Sequence, residues 1–409
     1  MSNTPAINGA QKPATLLAKD LISRATIKYL GFNDEAAAYI WADVPEGLLR
    51  HMSTDADDWW TRSFIDLVIE YLYLSGQKLN TCDDDDWRWR QCMDRCGINR
   101  ETRAAIMDPA FREIRRTQSC LYWLRDTMEL RFQALLDIRC ADIASPPDPD
   151  QTVQRASDDS ASRPSQSDET AMSEAALHAA HNPSESSVTL YKGIDRASVS
   201  RLFEDTGDLS RISALASVPP TDVCGSASAY YFYVDRDVAE QQACYVRRRS
   251  SLTPVVLVRA TIRKSTLESV YKGPRRQEVY WPDEDWKRLV FSCRRDNACP
   301  PDLARYMDAS LVIATAATRA NLFYNKLVKG PDKITEDMVL KNRHGEDAVQ
   351  YCFRRYDGDH LLAKHAELEM LPFTEQEFQS WRIEARHEEM RDIPWFFMRF
   401  SAPSGECLA

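Results

Sequence analysis

The sequence predicts an α+β protein: an all-helical domain over residues 13–143, a flexible linker over 144–187 and a mixed α+β catalytic domain over 188–409, behind a disordered tail at 1–12. Three observations carry that prediction. Apolar residues in the first third recur at helical spacing. After Ala144 the chain turns to Ser, Asp, Pro and Gln, with almost no large apolar side chain until Leu177, too little to offset the entropy of ordering it. From Val188 onward, short β-branched and aromatic runs alternate with helical patterns, as they do where strands and helices share one core.

Taken in order, Leu16, Leu17, Leu21 and Ile22 lead into Ile27, Tyr29, Leu30 and Phe32, with Gly31 as a stop. Phe64, Leu67, Val68, Tyr71 and Leu72 define a second amphipathic helix that Gly76 ends. Four carboxylates, Asp83, Asp84, Asp85 and Asp86, precede Trp87-Arg88-Trp89. At a helix start they complement the positive end of the dipole, which favours capping over a cation or substrate site. Helices are expected over 99–107 and 109–138, the second with a stripe of Phe111, Ile114, Cys120, Leu121, Leu124, Met128 and Leu135. The linker is expected to hold a short helix at 172–181. Beyond it, residues 188–193 read as a strand, 198–203 as a helix and 230–234 as an aromatic strand, with Asp235 placed to cap the helix that follows. Residues 254–262 read as the clearest buried strand, 311–315 as another, 335–390 as mixed helices and 395–400 as a final strand.

No apolar run reaches eighteen residues, and the first thirteen residues are polar, so neither a membrane span nor a secretory signal is expected and the location is read as cytoplasmic. Eleven scattered cysteines read as reduced, mostly buried thiols. Cys92 and Cys96 lack a second pair, and His387-Glu388-Glu389 lacks a second histidine, so no metal is expected. The net charge of −10 argues against indiscriminate nucleic-acid binding, and no DNA partner is expected. Between Glu240 and Arg295, however, thirteen Lys or Arg face six Asp or Glu. That segment suits an anionic partner or a plain solvated basic surface.

The same segment holds the densest chemistry. Glu278, Tyr280, Trp281, Asp283, Glu284, Asp285 and Trp286 lie between the pairs Arg275-Arg276 and Arg294-Arg295. Asp283, Glu284 or Asp285 offers a planar two-oxygen acceptor for a guanidinium. Tyr280, Trp281 and Trp286 offer faces for stacking, and the arginines, with Arg247, Arg248 and Arg249, offer contacts to phosphates. Structural readings stand beside these: carboxylates after Pro282 suit a helix N-terminus, and a triple arginine suits a helix C-terminus. Cys224, Ser226, Ser228 and Cys293 are conceivable nucleophiles, with no activating residue beside them in sequence.

Two resemblances add to this reading. Leu190-Tyr191-Lys192-Gly193, followed by residues 230–240, resembles the first strand and the central aromatic strand–helix unit of ADP-ribosyltransferase-like domains over residues 188–320. Lys192 stands where that family commonly has Arg, Ser226-Ala227-Ser228 partly matches its second motif, and Glu278 or Glu284 stands for its catalytic Glu. The resemblance implies an ADP-ribosyltransferase, an NAD glycohydrolase or an inactive binding module of that fold. At whole-chain level, the succession of Tyr29-Leu30-Gly31-Phe32, Ile106-Met107-Asp108-Pro109-Ala110-Phe111-Arg112, the linker, residues 230–240 and residues 280–287 is similar to fungal arginine-containing cyclodipeptide synthases of secondary metabolism. This implies an aminoacyltransferase that uses arginyl-tRNA and a second aminoacyl-tRNA to make a cyclo-arginyl diketopiperazine, with no cofactor at the condensation. The catalytic roles then fall to Glu284, Asp285, Lys192 and Tyr231, and substrate contacts to Asp283, Glu278, Tyr280, Trp281 and Trp286. Contacts to tRNA fall to Arg247, Arg248, Arg249, Arg275, Arg276, Arg294 and Arg295.

Overall fold

The computed structural model describes residues 17, 20–45, 58–144, 186–195, 212–217, 221–326 and 328–391. The expected tail, the linker interior with its helix at 172–181, the helix at 198–203 and the strand at 395–400 lie outside them. The first third is helical: α1 (Arg24–Leu30), α2 (Asp34–Ala42), α3 (Asp58–Gly76), α4 (Asp86–Arg95), α5 (Arg100–Ile106), α6 (Arg112–Arg116) and α7 (Cys120–Ala144). Polar side chains start these helices. Ser23, Asn33, Asp85 and Asn99 each accept a backbone N–H two or three residues on, satisfying donors that the first helical turn leaves unpaired. Gly31 ends α1 with φ of +131°, a conformation that disfavours any side chain. The expected helix over 109–138 is broken. A 3₁₀ turn (Pro109–Phe111) and α6 precede α7, because Thr117 turns its hydroxyl back onto the Ile114 carbonyl and the Ser119 hydroxyl accepts from the Tyr122 N–H.

From Ser187 onward, strands β1 (Ser187–Asp195), β2 (Ala229–Tyr233), β3 (Val255–Arg263), β4 (Arg276–Val279), β5 (Leu311–Thr315), β6 (Val349–Arg354) and β7 (Ala366–Pro372) form one sheet of order β4-β5-β6-β2-β1-β3-β7. Its β4–β5 pair is parallel and its other pairs are antiparallel. The helices around it are α8 (Arg236–Arg249), α9 (Lys264–Val270), α10 (Glu284–Arg294), α11 (Ala304–Asp308), α12 (Asn321–Lys326), α13 (Arg355–Lys364) and α14 (Glu375–Arg391). The mixed α+β class thus stands. The all-helix expectation for 335–390 does not, since β6 lies inside the sheet and β7 forms its edge. Gln350 interrupts the apolar pattern of β6, and two glutamates alternate through β7, so neither strand carries the long apolar run of β3.

Side chains alternate across the sheet. Tyr231 and Cys352 join Val223, Trp286 and Leu289 on one face, while Tyr230, Phe232 and Phe353 join Leu190, Val258 and Leu361 on the other. Tyr230, Tyr231 and Phe232 are therefore all core. The helical third is not a core closed on itself: Cys244 and Tyr245 of α8 and Phe378 and Trp381 of α14 belong to its apolar cluster. Phe111 stacks on Tyr245 at 5.1 Å and on Trp381 at 5.0 Å, measured between ring centroids.

Candidate active site

Two places hold the residues that the sequence singles out. The first is the turn from edge strand β4 into α10. Pro282 halts the strand, Asp283 occupies the N-cap position of α10 without a side-chain capping bond, and Glu284 and Asp285 fill the first turn. Asp285 is engaged: Arg305 and the Tyr306 hydroxyl both donate to its Oδ2, the latter at 3.2 Å. Asp283 and Glu284 are exposed, and among the described residues neither carboxylate has a hydrogen bond or ion pair. Trp286 is buried, donating its indole N–H to the Thr315 carbonyl at 2.9 Å. Trp281 stands edge-on to it at 5.5 Å, half-buried, with the Lys287 ammonium 5.2 Å from its ring centroid. Glu278 accepts from Arg276 and from the Tyr280 hydroxyl.

The second place is the seam between β1 and β2, where a single register pair, Tyr191 with Tyr233, joins the two strands. Here Lys192 donates its ammonium to the Tyr231 carbonyl at 3.2 Å and to the Ser217 hydroxyl at 3.1 Å. Burial lowers the Lys192 pKa from its usual 10.5 to about 8. Gly193, next along, lets α8 approach: a Cβ there would meet the Ala239 carbonyl oxygen at 2.3 Å. The phenol of Tyr231 projects to the other face. It hydrogen-bonds Thr221 at 2.8 Å, its ionisation opposed chiefly by burial and then by the neighbouring thiols. Cys224 and Cys352 bring their sulfurs to 3.1 Å. The Cys352 thiol hydrogen-bonded to Cys224 holds the latter's pKa down, while burial pushes that of Cys352 up.

The four expected catalytic residues are thus not one constellation. Lys192 on β1 and Glu284 just after β4 are separated by three intervening strands, so the strands themselves lie about 19 Å apart at about 4.8 Å per spacing. Nor do the seven arginines form one phosphate-binding surface. Arg247 pairs with Glu375, Arg248 with Asp108 and Arg249 with Asp126, the last being only 1% exposed. Arg275 pairs with Asp357, Arg276 with Glu278 and Arg294 with buried Asp222, while Arg295 donates to the Tyr324 and Val328 carbonyls. Asp222, which no motif in the sequence marks, is a hub. Its carboxylate also accepts from the Ala317 N–H at 2.8 Å and the Gln350 amide at 2.7 Å. Nothing local in Thr-Asp-Val announces that role, since its partners lie about 70 to 130 residues away in the chain.

Among the described residues no group of His, Cys, Asp and Glu has the arrangement of a metal site, and no helix is long and apolar enough to cross a membrane. Comparison with protein-family models, curated proteins and solved structures finds no match.

Proposed function

We propose that the protein is an aminoacyl-tRNA-dependent cyclodipeptide synthase of the arginine-containing class, acting at the β4–α10 turn. The observation that supports this most is the pair of unengaged carboxylates, Asp283 and Glu284, two and three residues after Trp281, where Glu278, Asp285 and Arg288 each have an ion-pair partner. Asp283 receives the guanidinium of the arginyl group through its two oxygens, with Trp281 as the stacking face; Tyr280 packs toward the opposite face of the sheet. Glu284 takes the proton as the α-amine of one aminoacyl ester attacks the carbonyl of the other. The new C–N bond forms as the ester C–O bond breaks, and that proton passes to the departing ribose oxygen. A second, intramolecular attack closes the diketopiperazine and frees the second tRNA in the same way. Activated esters supply the driving force, so the protein's task is positioning and proton transfer.

The β1–β2 seam favours a second reading, an NAD-consuming enzyme with an ADP-ribosyltransferase-like fold in which Lys192 binds or activates the dinucleotide. One experiment separates the two: incubation with arginyl-tRNA and mixed aminoacyl-tRNAs, against incubation with NAD alone. The synthase gives a diketopiperazine that disappears with ribonuclease and with Glu284→Gln, and survives Lys192→Met. Nicotinamide release that disappears with Lys192→Met, without a dipeptide, sinks the synthase. The Lys192 assignment has its own check in pH. Its folded-state pKa of about 8 lies below the unfolded 10.5, so the unfolded chain binds the extra proton across that window and stability rises with pH from about 8 to 10.5. Urea denaturation across that range should show the rise in the wild type and a flatter profile in Lys192→Met.

A further inference from the structure

Away from both places, a cavity of about 630 Å³ opens between the end of α9, the turn into β4 and the first turns of α13. Its lining includes Val270, Arg275, Tyr356, Asp357, Asp359 and His360. Tyr356 is 89% exposed, an aromatic face on the cavity rim that packs against nothing else. Asp357 and Asp359 are each engaged through Oδ1, the first by Arg275 at 2.8 Å and the second by the Tyr230 hydroxyl, and their Oδ2 atoms have no hydrogen bond among the described residues. Gly358 between them lets α13 lie on the Tyr230 ring, where a Cβ would come within 2.7 Å of Cδ2. Tyr271 follows Val270 of the lining, and its hydroxyl is buried. It is without a hydrogen-bond partner in a residue 2% exposed, and it feels the charges of Asp357 and Arg275.

We propose that this cavity is a nucleoside-binding site. A base stacks on Tyr356, the ribose hydroxyls donate to the Oδ2 atoms of Asp357 and Asp359, and Arg275 and His360 offer donors to the base. Three features favour a nucleoside over a small organic cation. The volume lies in the range that holds drug-sized ligands rather than a single ammonium group. The helix N-terminus of α13 offsets part of the carboxylate charge. Arg275 already neutralises Asp357. Both readings of function present an adenosine, at the 3′ end of tRNA or in NAD, and the cavity's chemistry does not depend on which is correct.

Adenosine titrated into the full-length protein, followed by calorimetry, tests the proposal. Adenosine should bind, and 2′,3′-dideoxyadenosine should bind about tenfold or more weakly, because it lacks the hydroxyls that donate to the carboxylates. Tyr356→Ala, at an exposed position that leaves the core intact, should weaken adenosine about tenfold through lost stacking. Asp359→Asn should do the same while keeping an acceptor for Tyr230. Displacement of adenosine by tRNA, by NAD or by neither assigns the natural source to the tRNA terminus, the dinucleotide or the free nucleoside. Absence of adenosine binding, equal binding of the dideoxy compound, indifference to Tyr356→Ala, or tighter binding of agmatine than of adenosine overturns the proposal. The readout is binding, so it stands or falls separately from product formation at Glu284.

Discussion

Two acidic runs begin helices in this protein, each beside tryptophans, and they meet opposite fates. In the first, every carboxylate is engaged. Asp85 caps α4, Asp83 holds Arg88, Asp86 holds Arg115, and Asp84 bridges Arg116 and Arg319. In the second, only Asp285 has partners, and Asp283 and Glu284 face solvent. The difference lies in the neighbours. The first run sits where the helical third meets the sheet region, so guanidinium groups from both sides converge on it. The second sits beyond edge strand β4, where α11 alone contributes a cation to it. Runs that look alike in sequence are sorted into structural and available carboxylates by what folding brings against them.

The largest stability effect expected from this comparison is that of Asp84→Ala, which leaves Arg319, its side chain 5% exposed, with Asp337 as its remaining ion-pair partner among the described residues, while Arg116 keeps Glu113 and Asp337. Loss of one partner of such a network should cost about 2–3 kcal/mol in urea denaturation. Asp85→Ala removes a cap and should cost about 1 kcal/mol. Asp285→Asn loosens a half-exposed pair and should cost about 0.5 kcal/mol. Asp283→Asn combined with Glu284→Gln should leave the unfolding free energy within about 0.5 kcal/mol of wild type. In the same variant, diketopiperazine formation should fall about a hundredfold or more. A substantial loss of stability there, or a neutral Asp84→Ala, would erase the distinction between the two runs.

The order of most elements was legible because it rests on local pattern. The apolar spacing of α3 and α7, the stop at Gly31 and the β-branched run of β3 act over a few residues. The capping preference for residues 83–86 was correct for Asp85, but the ion pairs of Asp84 and Asp86 depend on arginines 29 to 235 residues away. Asp235 stands at the N-cap position of α8 as expected, yet its side chain accepts from Asn342 instead. Local sequence marks the β4–α10 turn and Lys192 as candidates but not their separation, which follows from β5, β6 and β2 lying between them. The Tyr-Asp-Gly-Asp-His run at 356–360 has the same mixture of aromatic and carboxylate groups but carries no local signal of a site, because the arginine paired with it lies about eighty residues earlier.

The insertion of α8 into the helical core has a consequence for the chain as two pieces. Phe111 lies between Tyr245 and Trp381, and Arg249, stacked 4.5 Å from the Tyr245 ring and bonded to Asp126, is locked from the other side by Arg131 donating to its carbonyl. This contact has the aromatic and arginine anchors of a protein–protein hot spot, formed within one polypeptide. A protease site engineered between Ala144 and Ser187 should therefore yield fragments that copurify, each serving as the other's obligate subunit.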